Sequence, residues 1–187
     1  MIVSEEIEEI NFNKTPLNKE GYEDCTFVKC DFKNLNLGRI NFVECHFIEC
    51  DLTGSQLVET GWRDVKFEEC KMIGMNFEYC NDFLLEFSFS NCLMDLSSFY
   101  GKNISKTSFS NCSLKEVDFT NAKMIGVKFV ECEMHGAQFE NCDLTKANFE
   151  TANNFDINIK KNKIDKAIFS RDNLNGLLSN LNIVIKK

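Results

Sequence analysis

Two residue types in this chain could carry soft-metal, redox or proton-transfer chemistry. Cysteines stand at positions 25, 30, 45, 50, 70, 80, 92, 112, 132 and 142, and histidines at 46 and 135. A structural zinc site would show its thiolates as C-x2-C pairs, and a small secreted domain would use them as disulfides. Neither pattern is present. The close pairs, Cys25/Cys30 and Cys45/Cys50, are C-x4-C, and the remaining spacings within each half of the chain are also multiples of five. His46 and His135 each lie beside an apolar residue of that same spacing, which turns them toward solvent. No G-x-S-x-G, G-x-G-x-x-G, Walker A or H-E-x-x-H motif occurs. The cysteines therefore read as packing residues, and no enzyme, metal or cofactor chemistry is expected.

The spacing of five belongs to the whole chain. Apolar residues recur from Phe12 through Phe27, Phe47 and Phe67 to Phe77. After a slip of two residues near 81–83 they resume at Leu84 and continue through Phe89, Phe109 and Phe129 to Phe149. These residues are called centres below. The cysteines stand two positions before a centre, Cys80 alone meeting Asp82 where the repeat breaks. No regular element keeps a five-residue stripe on one face, because five residues turn a helix by ~140° and place a strand residue on the opposite side. A chain that turns a corner every five residues does keep it. The position two before the centre then points inward beside it and must be small. It holds Cys25, Cys45, Ser55, Thr60, Val65, Cys92, Ser97, Ala122 and Ala147. Glycines 54, 74, 101, 126 and 136 fall two after a centre, where a type II corner requires positive φ.

Four such sides make a twenty-residue coil. Cys30/50/70 and Cys92/112/132 repeat at twenty, and in the second half phenylalanine alternates with Leu, Met or Ile, which places it on opposite walls. Asn91, Asn111, Asn121 and Asn141 recur at one corner position, where turn chemistry is favoured over amide ladders.

The motif small–polar–Leu/Phe–X–X, as in CDLTKANFET (142–151) and CTFVKCDFKN (25–34), resembles that of pentapeptide-repeat proteins over about residues 10–174. The resemblance implies an all-β solenoid, a right-handed quadrilateral β-helix of about eight coils. Residues 1–9 read as a lead-in, 10–169 as the β-helix and 170–187 as a helical cap. In that cap Leu174, Leu177, Leu178 and Leu181 fall at helical spacing after Ser170 or Asp172, and Ile183, Val184 and Ile185 close the chain. The segment 153–185 resembles the C-terminal segment of the Qnr-like group, which implies a tail-to-tail homodimer through these leucines.

The acidic start, MIVSEEIEEI, lacks the apolar core of a signal peptide, and no apolar run reaches membrane-spanning length. Reduced, buried cysteines point to the cytoplasm. Residues 1–149 carry 14 Lys/Arg and 25 Asp/Glu, and residues 150–187 carry 7 and 4, Lys186 and Lys187 among the bases. An acidic body with a mildly basic tail offers no nucleic-acid footprint.

Four positions break the pattern: the slip itself, Phe87 and Lys102 at positions meant for small residues, and Glu20 near the N-terminal end. Phe87 is too large for its place. An unpaired ammonium inside is costly, so the coil around Lys102 is expected to deform and release it. Asn154 occupies a centre beside Phe155, and centres return at Ile159, Ile164 and Phe169.

Two functions follow. The Qnr-like resemblance implies a DNA mimic that engages DNA gyrase or topoisomerase IV, in some members protecting the enzyme from quinolones or toxins. The chain lacks the long inserted loops of the Gram-negative members, and its body charge is about half that of a duplex of equal length. The alternative is a rigid interaction scaffold for an unrelated protein. Acids gathered on one wall would favour mimicry, and an even spread would favour the scaffold. Glu68, Glu69, Glu78, Asp82, Phe83 and Glu86, around the slip, are the candidate partner-binding residues.

Overall fold

The computed structural model describes residues 1–181 and 183–184; Ile185, Lys186 and Lys187 of the expected cap lie outside them. Short parallel strands stack at intervals of twenty residues. One sheet joins β1 (Ile2–Val3), β3 (Tyr22–Glu23), β5 (Asn41–Val43) and β7 (Gly61–Arg63). The longer sheet joins β2 (Glu6–Glu8), β4 (Thr26–Val28), β6 (His46–Ile48), β8 (Val65–Glu68), β9 (Phe87–Ser90), β10 (Ser108–Ser110) and β11 (Lys128–Val130). Its seven strands make six turns of regular ladder, and single bridges extend it from Lys128 to Asn148 and Ile168. The other two walls are built from bridges alone, such as Asp31↔Asp51 and Ser98↔Asp118. The walls are numbered by their centres: first Tyr22–Phe42–Trp62, second Phe27–Phe47–Phe67, third Phe32–Leu52–Met72, fourth Leu37–Leu57–Phe77.

The lead-in of the sequence reading is already coil. β1 and β2 pair in register with β3 and β4, and Ile2 and Ile7 pack on the core. Most corners sit two residues after a centre, in the left-handed region. Glycines 54, 74, 101, 126 and 136 have φ of 67–74°, while Asp24, Glu49, Glu69 and Lys146 take φ of 51–60°. Asn91, Asn111, Asn121 and Asn141 share that geometry, with φ of 52–61°, which is turn chemistry.

Aromatic ladders fill the axis. The second wall stacks Phe27, Phe47, Phe67, Phe89, Phe109 and Phe129 with ring centroids 4.7–5.3 Å apart. In the second half Phe99, Phe119 and Phe139 stack on the opposite wall, and Phe119 meets Phe129 edge-on at 5.9 Å. All ten cysteines are buried and free. Apart from Cys80, their thiols donate to backbone carbonyls, as Cys45 Sγ does to Val43 O (3.3 Å) and Tyr22 O (3.5 Å). Burial pushes the thiols of Cys45, Cys80 and Cys142 up to about 12.

The slip is where sequence and structure part. Leu84 is not a centre: it takes φ 56° and is 58% exposed, while Leu85 and Phe87 point inward. Phe87 fits because Leu84 has left. Its ring packs on Phe77, Phe89, Trp62 and Phe67 at 5.3–6.3 Å and bridges the aromatic ladders above and below. Lys102 is not released either. It stays 6% exposed, and its ammonium donates to Cys80 O (2.7 Å) and Asp82 Oδ1 (2.6 Å). The two inserted residues open the wall beside Cys80, so a buried stem reaches a partner at the rim. Glu20 turns outward.

The same exchange recurs near the C-terminus. Asn154 (φ 55°) faces out and Phe155 and Ile157 face in, so Ile159, expected as a centre, is 39% exposed. Register returns at Lys163, bridged to Asp143. The helix α1 spans only Asn175–Leu178, and its first turn has no side-chain cap. Ser170 Oγ instead accepts from Asn173 N (3.2 Å), and Asn173 Nδ2 donates to Phe149 O (2.7 Å).

Two expectations follow. A thiol reagent at neutral pH should find almost no reactive cysteine in the folded protein and all ten after denaturation; rapid native labelling of the Cys30–Cys132 row would contradict the packing. Lys102→Ala should cost about 2 kcal/mol in urea unfolding, because the Cys80 carbonyl loses its donor. Asp82→Asn should cost about 1 kcal/mol or less, since that carboxylate is largely exposed. The double mutant should show coupling of about 0.5 kcal/mol or more, whereas additive effects would separate the two residues.

Candidate functional site

A five-residue side turns the chain through a corner, so residues close in sequence scatter around the rod. Glu68 lies on the outer face of β8 in the second wall, and Glu69 at the corner that follows. Glu78 sits on the fourth wall in a 3-10 turn at Phe77–Tyr79, where Asn76 caps its N–H (3.1 Å). Asp82 and Phe83 belong to the slip loop. Glu86 stands at the corner between first and second walls, 3.1 Å from Lys106 Nζ. The six predicted residues thus do not form one patch.

The structure does bring other acids together. Through residue 90, the second wall and its two corners carry Glu6, Glu8, Glu9, Asp24, Glu44, Glu49, Asp64, Glu68, Glu69 and Glu86. They face only Lys29 and Lys66, a formal net of −8 from ten acids and two bases. The rest of that half holds eight acids and six bases, nearly balanced. Five levels at ~4.8 Å span about 24 Å, over which one DNA strand carries about 7 phosphates. The wall matches one strand in charge density. Sequence reading missed this because the members lie up to eighty residues apart and meet only once the twenty-residue register is imposed.

His46 Nε2 lies 3.4 Å from Glu68 Oε2 on this wall, and Lys66 pairs in register with His46. Beside the wall, the slip loop presents Phe83 (62% exposed) and Leu84. The Arg63 guanidinium lies 5.1 Å over the Phe83 ring, a cation–π contact that props the ring outward. Trp62 Nε1 donates to Cys80 Sγ (3.2 Å), and Lys102 ties Asp82, so the N-terminal end of the loop is anchored.

At the C-terminal end the leucines divide. Leu177 packs on the core and covers the last coil, while Leu174 is 41% exposed. Gly176 lies so close to Phe155 that no side chain fits, and its carbonyl accepts from Ile157 N (2.8 Å). No helix among the described residues is long and apolar enough to cross a membrane.

Comparison with solved structures finds the same fold in a trypsin-treated variant of QnrB1, a plasmid-mediated fluoroquinolone resistance protein. That match has 18% identity, covers 99% of this chain and 99% of that one, and has a TM-score of 0.59. A second trypsin-treated QnrB1 variant matches at 20% identity over 99% of this chain and 97% of that one, TM-score 0.46. HetL, a pentapeptide repeat protein involved in heterocyst differentiation regulation from the cyanobacterium Nostoc, matches at 18% identity over 90% and 86%, TM-score 0.40. No curated protein matches the sequence. The family profile of the pentapeptide repeat region matches residues 21–87 and 84–169, and with the twenty-residue coil seen here the chain belongs to the pentapeptide repeat family.

Proposed function

We propose that this protein is a non-enzymatic binding rod that offers its acidic second wall to the DNA-binding surface of a type II topoisomerase, DNA gyrase or topoisomerase IV. The observation that carries this reading is the gathering of ten carboxylates on one wall while the rest of that half is balanced. Likeness of fold to QnrB1 supports it. The footprint is the N-terminal half, because residues 91–187 carry 13 bases against 11 acids. Phe83, held beside the wall, adds an apolar contact. Protection from quinolones or toxins would be a consequence of the same occupancy. A cytoplasmic setting agrees with ten buried free thiols. The scaffold reading keeps support from the near-neutral second half, and its partner would likewise present a basic surface.

The test is a gyrase supercoiling assay, with and without ciprofloxacin. Wild-type protein should inhibit at micromolar concentration and lose effect as salt rises, since exposed charges are screened within ~8 Å at physiological ionic strength. Changing Glu44, Glu49, Glu68 and Glu69 to Gln should weaken inhibition about tenfold or more and leave the circular dichroism unchanged. Glu78→Gln, on the far wall, should have little effect. Absence of any effect of the wild type on gyrase or topoisomerase IV would leave the scaffold reading.

We also propose a tail-to-tail homodimer through the C-terminal leucines, with Leu177 as cap and Leu174, Leu178 and Leu181 as contact. In 0.5 M salt, Leu174→Lys with Leu181→Lys should halve the solution mass without loss of β structure. Leu177→Lys should instead lower the melting temperature. An unchanged mass in the first variant would make the segment a cap only.

A further inference from the structure

One corner of the rod changes sign halfway along. Between the first and second walls the corner column reads Asp24, Glu44, Asp64 and Glu86, then Lys106, Gly126, Lys146 and Lys166. Asp24, Glu44, Asp64, Lys146 and Lys166 share one backbone state, φ 48–60°, and are exposed. Their side chains therefore leave the rod in one line, a level apart at ~4.8 Å. Four carboxylates in file repel one another, and nothing in the coil requires them there.

We infer that two copies of this chain associate side by side, antiparallel, along this corner. The occupant is set by charge complementarity. With a two-fold axis between the levels of Glu86 and Lys106, Asp24 of one copy faces Lys166 of the other, and Glu44 faces Lys146. The Glu86–Lys106 pair, 3.1 Å within one chain, meets its own symmetry mate. A parallel arrangement would set acid on acid. On the second-wall side close approach at the axis is allowed because the outer residues of β9 and β10 are Ser88, Ser90, Ser108 and Ser110, while on the first-wall side the exposed Leu84 borders the contact. The contact stays at the corner, since full overlap of the second walls would oppose Lys66 with Lys128 and Glu69 with Glu131. It is distinct from the leucine tail and does not rest on the topoisomerase reading, but it takes up the acidic corner of the same wall, so the two contacts compete for Asp24, Glu44, Asp64 and Glu86. It consists of exposed ion pairs, so it is weak and sensitive to salt.

Sedimentation equilibrium at 20 mM and 500 mM salt tests it. The weight-average mass of the wild type should be higher at low salt and fall to the salt-independent value at high salt. Lys146→Glu with Lys166→Glu makes the column wholly acidic apart from Lys106. Asp24→Lys with Glu44→Lys makes it mainly basic. Each variant alone should lose the low-salt association by about tenfold or more. An equimolar mixture should regain it, because each reversed half then meets its complement. Circular dichroism checks that both variants fold. A wild-type mass equal at both salts, an association that survives Lys146→Glu with Lys166→Glu, or a mixture that gains nothing over its components would overturn the inference.

Discussion

The interior of this rod is only as wide as four inward side chains and the small residues between them, and that width governs the rest. Each five-residue side sends one large centre and one small neighbour to the axis, and the centres of one coil stack on those of the next. The neighbour has a second duty. Ser55 Oγ donates to Phe32 O (2.6 Å), Thr60 Oγ1 to Leu37 O (2.9 Å), and Cys50 Sγ to Phe27 O (3.3 Å), each the carbonyl of a centre one coil earlier. A residue that is small and carries a weak donor suits the place better than alanine, because a buried carbonyl can take a second bond. The cysteine count is thus a consequence of packing and polar satisfaction together.

Where the width rule fails, the chain resolves it the same way twice. At Leu84 and Asn154 a residue due at the axis adopts φ 55–56° and turns out. The residues one and three later, Leu85 with Phe87 and Phe155 with Ile157, turn in. The apolar volume lost at one level is replaced by two side chains at the next positions. At the first site two inserted residues also open the wall, and Lys102 uses the opening. At the second, the Asn158–Asn162 turn closes the wall without a change of register, and Asn162 Nδ2 donates to Phe139 O (2.8 Å).

This explains how far the sequence could be read. The coil, the inward cysteines and the glycine corners were legible because each depends on a period that a single residue cannot shift. The slip was visible as a break, but its resolution was not: Leu84 carries the right type at the right spacing, and only the bulk of Phe87 signals that one of the two must leave. Lys102 misled for a related reason. A charge at a buried place is costly without a partner, and Asp82 is twenty positions away in a loop whose shape the repeat does not dictate. The helix came out shorter than the leucine spacing suggests, because Leu177 answers to the open coil end and Gly176 to the backbone of Phe155. For the candidate site, sequence neighbours around the slip were a poor guide, since the register and not the distance along the chain decides which carboxylates share a wall.

The same register separates structural charge from charge kept for another purpose. Neighbours twenty residues apart lie directly above one another, and many form pairs of opposite sign: Lys29 with Glu49, Arg39 with Glu59, Lys106 with Glu86 and Lys163 with Asp143. Such alternation relieves a column of like charges at little cost. It is available everywhere, since the outer positions accept any polar residue. The columns that do not use it are therefore informative. Asp24, Glu44 and Asp64 run three levels without a base before Glu86 meets Lys106, while a short distance away Glu9 and Glu49 enclose Lys29. Repulsion across ~5 Å at the surface is modest per pair but adds along the file, and it destabilises the folded rod. Folding alone gives no reason for it, and a basic surface laid against the wall removes it.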